Sequence, residues 1–357
     1  MEKCVLVALK TQKNRHNFDS SIHELQRLAE TAGAEVVETF VQERRAPDTS
    51  TFIGKGKADE IGRFAKKKGI ELIFIDHELT PTQQRNLERQ TDVKIVDRTA
   101  LILDIFAQHA RSKAGKLQVE LAQYNYILPR LTRMWTHLSR MAGGIGTRRG
   151  PGETQLEVDR RKINAKISHL KKQLVKVEKT RRTQRKQRER TGTYRIVLVG
   201  YTNSGKSSLI NLLAKAGVKA ENQLFSTLDP TSRKVRVDGG SVVVTDTVGF
   251  IDNLPHELIE AFKSTLEEVS EADLLLKITD ASAENLEEKI KTVDNVLSQI
   301  GAVGESVLVL NKTDLIEEEE IEGLRSQYSE AVLISVKENK GLEKLRQTIR
   351  KKAKIAV

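Results

Sequence analysis

Residues 200–207 read Gly-Tyr-Thr-Asn-Ser-Gly-Lys-Ser, directly after the apolar run "RIVLV" and directly before "SLINLL". A glycine loop between a buried strand and a helix is a phosphate cradle. Its backbone N–H groups converge on a polyphosphate at the helix N-terminus, where the peptide dipoles favour an anion. In this spacing Lys206 is the candidate to bridge β- and γ-phosphate oxygens, and Ser207 the candidate Mg²⁺ ligand. The loop residues Gly200, Tyr201, Thr202, Asn203, Ser204 and Gly205, with Ser208 behind them, are the expected nucleotide contacts.

Three further pieces follow in order. "LFSTLDPTSR" supplies Phe225, Ser226, Thr227, Leu228 and Asp229 as expected contacts, with Thr227 a second hydroxyl ligand for Mg²⁺ and a γ-phosphate sensor. "SVVVTDTVGF" is a strand ending in Asp246-x-x-Gly249, in which Asp246 holds Mg²⁺ and the Gly249 N–H meets the γ-phosphate. "VLVLNKTD" ends a buried strand with Asn311, Lys312 and Asp314. A carboxylate at Asp314 can accept from guanine N1–H and the 2-amino group; adenine offers neither donor at that edge, so leaving the carboxylate unpaired discriminates strongly. Lys312 is expected over the base plane, and the backbone of Ser335, Val336 and Lys337 in "ISVKENKGL" against the guanine oxygen. The set implies a guanine-nucleotide hydrolase with Lys206, Thr227, Gly249 and Asn203 as the catalytic candidates.

One position departs from the pattern of small signalling GTPases, which place a glutamine after D-x-x-G to orient the attacking water. Here it is Phe250. An apolar ring cannot orient water, so intrinsic hydrolysis is expected to be slow and to need another group. Asn203 resembles the asparagine of cation-activated GTPases, whose side chain helps to hold K⁺ between the phosphates; bracing of the loop is the equal alternative.

These residues need elements to position them. Residues 193–357 read as a P-loop α/β domain. Residues 1–112 alternate strands ("CVLVALK", "EVVETFVQ", "ELIFID", "VKIVD") with amphipathic helices, which predicts an α/β layer with a mainly parallel sheet. The link "ERRAPDTSTFIGKGKADE" is read as a loop, with Gly54 and Gly56 an ordinary turn rather than a phosphate site. Residues 113–192 carry two heptad seams, Leu117, Leu121, Tyr124, Leu128, Leu131, Trp135, Leu138 and Leu156, Ile163, Ile167, Leu170, Leu174, Val177. Two seams joined by a short loop predict an antiparallel coiled-coil hairpin, kinked at Pro129, with the polar run beyond Val177 exposed. Straight helix from Lys116 to Met141 would reach roughly 37 Å.

At the turn of that hairpin lies "GGIGTRRGPGETQLE". Gly143, Gly144, Gly146, Gly150 and Gly152 permit close backbone approach, and Arg148 and Arg149 supply charge for phosphates or for stacking on bases. The charge around it is lopsided. Residues 111–190 hold 22 Lys or Arg against 6 Asp or Glu, a balance of +16 in a chain whose total is +11, so the remainder is about −5. A basic segment between ordinary domains is the footprint of a polyanion partner, and RNA is the expected one.

The single cysteine excludes an internal disulfide, and the 7 histidines lack ligand spacing for a transition metal. No apolar run is long enough to span a membrane. A cytoplasmic monomer is the expectation.

With these motifs in place the chain resembles the HflX family of translational GTPases almost from end to end, most specifically in "GGIGTRRGPGETQLE". The resemblance implies binding to the large ribosomal subunit, with residues 143–153 approaching ribosomal RNA near the peptidyl-transferase centre. It further implies splitting of stalled or idle ribosomes in the GTP state, and hydrolysis stimulated by the large subunit. Some members carry a further C-terminal domain; this sequence ends in one basic helix, so no role of that domain is carried over. The alternatives are a GTPase of large-subunit assembly and an RNA-remodelling ATPase working through the N-terminal domain. The linker near Gly192 and the segment after Pro255 are the expected couplers between nucleotide and arm.

Overall fold

The computed structural model describes residues 2–133, 155–189, 194–214, 224–225, 227–237, 240–251, 268–302 and 304–354. They form two compact units. The first holds the described residues up to Gln108 together with Lys116–Lys179; the second holds His109–Gly115 and the described residues from Thr180 onward.

In the first unit, four strands, β1 (Glu2–Lys10), β2 (Ala34–Glu43), β3 (Leu72–Ile75) and β4 (Lys94–Asp97), form a sheet of order β2-β1-β3-β4. Every pairing is parallel, as α/β alternation requires. The helices between them are α1 (Phe18–Thr31), α2 (Lys55–Lys68) and α3 (Pro81–Thr91), with α4 (Arg98–His109) after β4. β3 and residues Cys4–Leu9 of β1 are buried continuously, and Val5, Val7, Ile73 and Ile75 pack with Ile61 and Leu87 of the covering helices. The link before α2 is shorter than expected. Lys55 already opens the helix with Gly56 in its first turn, and the Gly54 N–H is taken by Gln42 Oε1 at 2.8 Å.

The hairpin seams meet. Leu117 and Leu121 of α5 (Lys113–Ile127) pack with Ile167 and Leu170 of α6 (Gln155–Glu189), with Tyr124, Ile163, Leu174 and Val177 around them. Lys166 pairs with Glu120 across the seam at 3.2 Å. One expectation is corrected. Pro129 does not merely kink the first helix: α5 ends at Ile127 and residues Leu128–Arg133 form a 3₁₀ turn, so a straight helix to Met141 is not formed. Proline has no N–H for the α-helical ladder, and its ring clashes with the preceding turn. The second helix continues past its seam, unbroken to Glu189.

The 3₁₀ turn is pinned through Arg130. Its guanidinium donates to the Leu79 carbonyl (2.8 Å), the Gln84 amide oxygen (3.1 Å) and the buried Asp97 carboxylate (3.2 Å), and it lies 3.4 Å over the Tyr126 ring. Asp97 also accepts from the N–H groups of Leu79 and Ala100, capping α4. Removing one partner of such a pair strands a buried charge. Arg130→Ala is expected to cost this unit about 3 kcal/mol, read as a lower melting temperature with GDP affinity unchanged.

The second unit is a six-stranded sheet of order β10-β9-β8-β5-β7-β6. Its strands are β5 (Arg195–Gly200), β6 (Thr231–Val237), β7 (Gly240–Asp246), β8 (Leu274–Asp280), β9 (Ser306–Asn311) and β10 (Val332–Leu333). All pair in parallel except β6 with β7. The helices are α7 (Lys206–Leu213), α8 (Leu286–Gln299), α9 (Glu318–Gln327) and α10 (Leu342–Lys352). Parallel strands carry their C-termini to one edge, where ligands of open α/β sheets collect. Gly200, Asp246, Asn311 and Ser335 stand at or just beyond the ends of β5, β7, β9 and β10.

Candidate functional site

The phosphate loop turns on two glycines with positive φ. Gly200 (φ +154°) closes β5, and an added Cβ there would fall onto the Ile278 carbonyl. Gly205 (φ +93°) precedes the helix, and its Cβ would fall onto the Asn311 amide. Asn203 holds a left-handed φ of +59° between them. Lys206 is buried, and its ammonium donates to the carbonyls of Gly200 (3.0 Å) and Tyr201 (2.8 Å). Burial lowers its pKa to about 8, against the opposing pull of Asp246.

Ser207, Thr227 and Asp246 come from separate motifs and meet. The Ser207 hydroxyl donates to Asp246 Oδ2 at 2.6 Å, the Thr227 hydroxyl donates to the same oxygen at 2.7 Å, and the two hydroxyls stand 2.9 Å apart. Asp246 Oδ1 is buried with no hydrogen-bond partner, as are the hydroxyls of Thr202 and Ser204 in the loop above. Buried polar atoms are ordinarily satisfied, and each exception asks for a ligand or a water. Two hydroxyls and a carboxylate with an orphaned oxygen form a hard oxygen donor set, which suits Mg²⁺.

The D-x-x-G strand is stitched to the loop through its backbone. Phe250 donates N–H to the Gly200 carbonyl (3.0 Å) and accepts from the Thr202 N–H (2.7 Å). A Cβ on Gly249 would lie 2.8 Å from Thr202 Cα and 3.1 Å from Lys206 Nζ, so only glycine fits. The Phe250 ring is 1% exposed. It belongs to the buried core.

The candidate base-recognition residues are held by one another. Asn311 bridges two loops, donating to the Ser204 carbonyl (2.8 Å) and accepting from the Val336 N–H (3.1 Å). Asp314 Oδ1 accepts from the Ser335 hydroxyl at 2.6 Å, and Lys337 stands 3.7 Å from Oδ2. The Ser335 hydrogen bond is the largest of the influences that hold the Asp314 carboxyl below the usual range. Lys312 ion-pairs with Asp280 at 2.7 Å. Asp280 was missed in the sequence together with its strand β8, although "DLLLKITD" carries the same apolar-run-then-aspartate signature as the strands that were read.

Other expected contact residues have partners of their own. The Asp229 carboxylate accepts from the N–H groups of Arg111 (2.8 Å) and Ser112 (2.6 Å) and from the Ser112 hydroxyl. Phe225 and Leu228 are buried core side chains, which leaves only their backbone for a ligand. Ser208 is half-buried on α7. Ser226 and the whole glycine-rich tip, Gly143, Gly144, Gly146, Arg148, Arg149, Gly150 and Gly152, lie outside the described residues, as do Trp135 and the expected couplers at Gly192 and after Pro255. Among the described residues no helix is long and apolar enough to cross a membrane.

Known proteins match nearly the whole chain. Residues 19–107 match the family "GTP-binding GTPase N-terminal", residues 109–188 "GTP-binding GTPase Middle Region" and residues 195–312 "50S ribosome-binding GTPase". GTPase HflX of Caldanaerobacter subterraneus subsp. tengcongensis is 47% identical over 350 residues, 98% of this chain and 80% of that one. GTPase HflX of Escherichia coli (strain K12) is 46% identical over 319 residues, 89% of this chain and 74% of that one. Among solved structures, the SsGBP–GDP complex superposes with a TM-score of 0.54 at 26% identity, over 99% of both chains.

Proposed function

The chain belongs to the HflX family of GTPases and hydrolyses GTP, and from that premise we propose that it binds the large ribosomal subunit in its GTP state and splits stalled or idle ribosomes. In this reading the basic, glycine-rich loop 143–152 contacts ribosomal RNA, and hydrolysis releases the protein. The observation that carries it is the union, in one polypeptide, of the converged Ser207–Thr227–Asp246 cluster with a middle segment whose balance is +16. The first senses a triphosphate; the second suits a polyanion.

At the nucleotide site, Asp314 takes guanine through its carboxylate and the Ser335–Lys337 backbone meets the guanine oxygen. Lys312, steered by Asp280, lies along the base. Lys206 holds the β- and γ-phosphates, and the Gly249 N–H reads the γ-phosphate. Ser207, Thr227 and Asp246 are the ligands of Mg²⁺, which when bound neutralises charge on the phosphate oxygens. No side chain at Phe250 orients water, so the intrinsic rate is slow and the ribosome supplies what is missing.

In this reading Asn203 shares a K⁺ with the phosphates, doing part of an arginine finger's electrostatic work. Hydrolysis in K⁺ is then expected to run at least several-fold faster than in Na⁺; equal rates assign Asn203 to bracing the loop. The function itself is tested by sedimenting intact ribosomes with the protein and a non-hydrolysable GTP analogue. Separated subunits are the expected result. Unchanged particles contradict splitting, and copurification with precursor subunits alone favours assembly.

A further inference from the structure

Asp229 is a half-buried anchor that the proposed nucleotide chemistry does not use. We infer that it is a positioning residue: by gripping the turn that begins α5, it sets Thr227 in the hydroxyl–carboxylate cluster and makes that turn answer to the bound nucleotide. The inference rests on the reading of Thr227 as a Mg²⁺ and γ-phosphate residue.

Four observations carry it. First, the grip is dense. Asp229 Oδ2 accepts from two successive N–H groups, Arg111 at 2.8 Å and Ser112 at 2.6 Å, while Oδ1 accepts from the Ser112 hydroxyl. Hydrogen bonds to an ionised carboxylate are the strong ones. Secondly, Ser112 caps α5, its hydroxyl accepting from the Gly115 N–H at 2.9 Å, so the carboxylate sits on the positive end of a fifteen-residue helix.

Thirdly, Gly115 lies in the first turn of α5, where glycine is a poor helix former. An added Cβ would fall onto the Asp229 carboxylate, so the position is reserved for close approach of this one side chain. Fourthly, the connection to the cluster is short. Thr227 donates to Asp246 at 2.7 Å, Leu228 is buried beside it, and Asp229 follows, stiffened by Pro230. With the cluster at one end and the α5 cap at the other, a shift of Thr227 must move or break the grip.

The test uses the full chain and three variants, Thr227→Ala, Asp229→Ala and Gly115→Ala, the last keeping the carboxylate and favouring the helix. Three quantities are read: kcat and KM for GTP, the Kd for GDP, and hydrogen exchange of amides 111–116 in GDP against a non-hydrolysable GTP analogue. Asp229→Ala and Gly115→Ala are expected to lower kcat by roughly tenfold, as misplaced groups do, and to leave the GDP Kd within about twofold of wild type. They also erase the difference in exchange that wild type shows between the two nucleotides. A packing role alone would weaken GDP binding as well. Wild-type kcat and a preserved exchange difference in both variants, beside an impaired Thr227→Ala, overturn the inference and leave the site reading standing. A wild-type rate in Thr227→Ala overturns the site reading and this inference with it.

Discussion

Asp314→Asn is expected to weaken GTP binding by roughly a hundredfold to ten-thousandfold and to create hydrolysis of xanthosine triphosphate. The carboxylate is a pure acceptor, already held ionised by the Ser335 hydroxyl at 2.6 Å. Guanine presents two donors to it, N1–H and the 2-amino group. An amide in its place offers one acceptor and one donor, so guanine meets a donor where it needs an acceptor. Xanthine carries a carbonyl at that carbon and fits the amide. Parallel titrations of the variant with GTP and xanthosine triphosphate check this. Equal loss for both nucleotides would mean that the residue shapes the loop and does not read the base.

Deleting residues 143–150 is expected to leave hydrolysis by the free protein near the wild-type rate and to abolish its stimulation by large ribosomal subunits. None of the residues that form the phosphate, Mg²⁺ or guanine site comes from this segment, so the chemistry has no reason to depend on it. Binding does, if the tip meets RNA. The finer version replaces Arg148 and Arg149 by Ala. Binding should weaken, and the dependence of log K on log salt should flatten by up to about two phosphate contacts. Stimulation that survives the deletion, or binding indifferent to both arginines at every salt concentration, would remove the tip from the interface.

The candidate nucleotide site was legible because its parts are local. Gly200 to Ser207 is one strand–loop–helix stretch, and each later piece is a short run whose geometry is fixed by its own strand end. The hairpin seams were legible for the same reason, since heptad spacing is written along the helix itself. Pro129 signalled a disturbance. Whether it kinks or terminates a helix depends on what receives the freed backbone, and here the Arg130 contacts with Leu79 and Asp97 hold a 3₁₀ turn instead.

What the sequence hid is long-range. Asp229 was grouped with the nucleotide because it follows Thr227, yet its partners Arg111 and Ser112 lie more than a hundred residues upstream. No periodicity or motif records such a pairing. Gly115 was a faint trace of it, a glycine where the helix would prefer alanine. Asp280 was hidden differently. Its strand is as apolar as its neighbours, but its partner Lys312 belongs to a motif that accounts for itself without help.

In the proposed function, GTP handled at one site governs where a cationic loop on the same chain meets RNA. A cryo-electron map of the protein on the large ribosomal subunit with a non-hydrolysable GTP analogue tests it most directly. Density for residues 143–152 against ribosomal RNA, with Arg148 and Arg149 at phosphates or bases, is the expected result. A map with the nucleotide bound and that loop resting on the protein's own acidic side chains would contradict it.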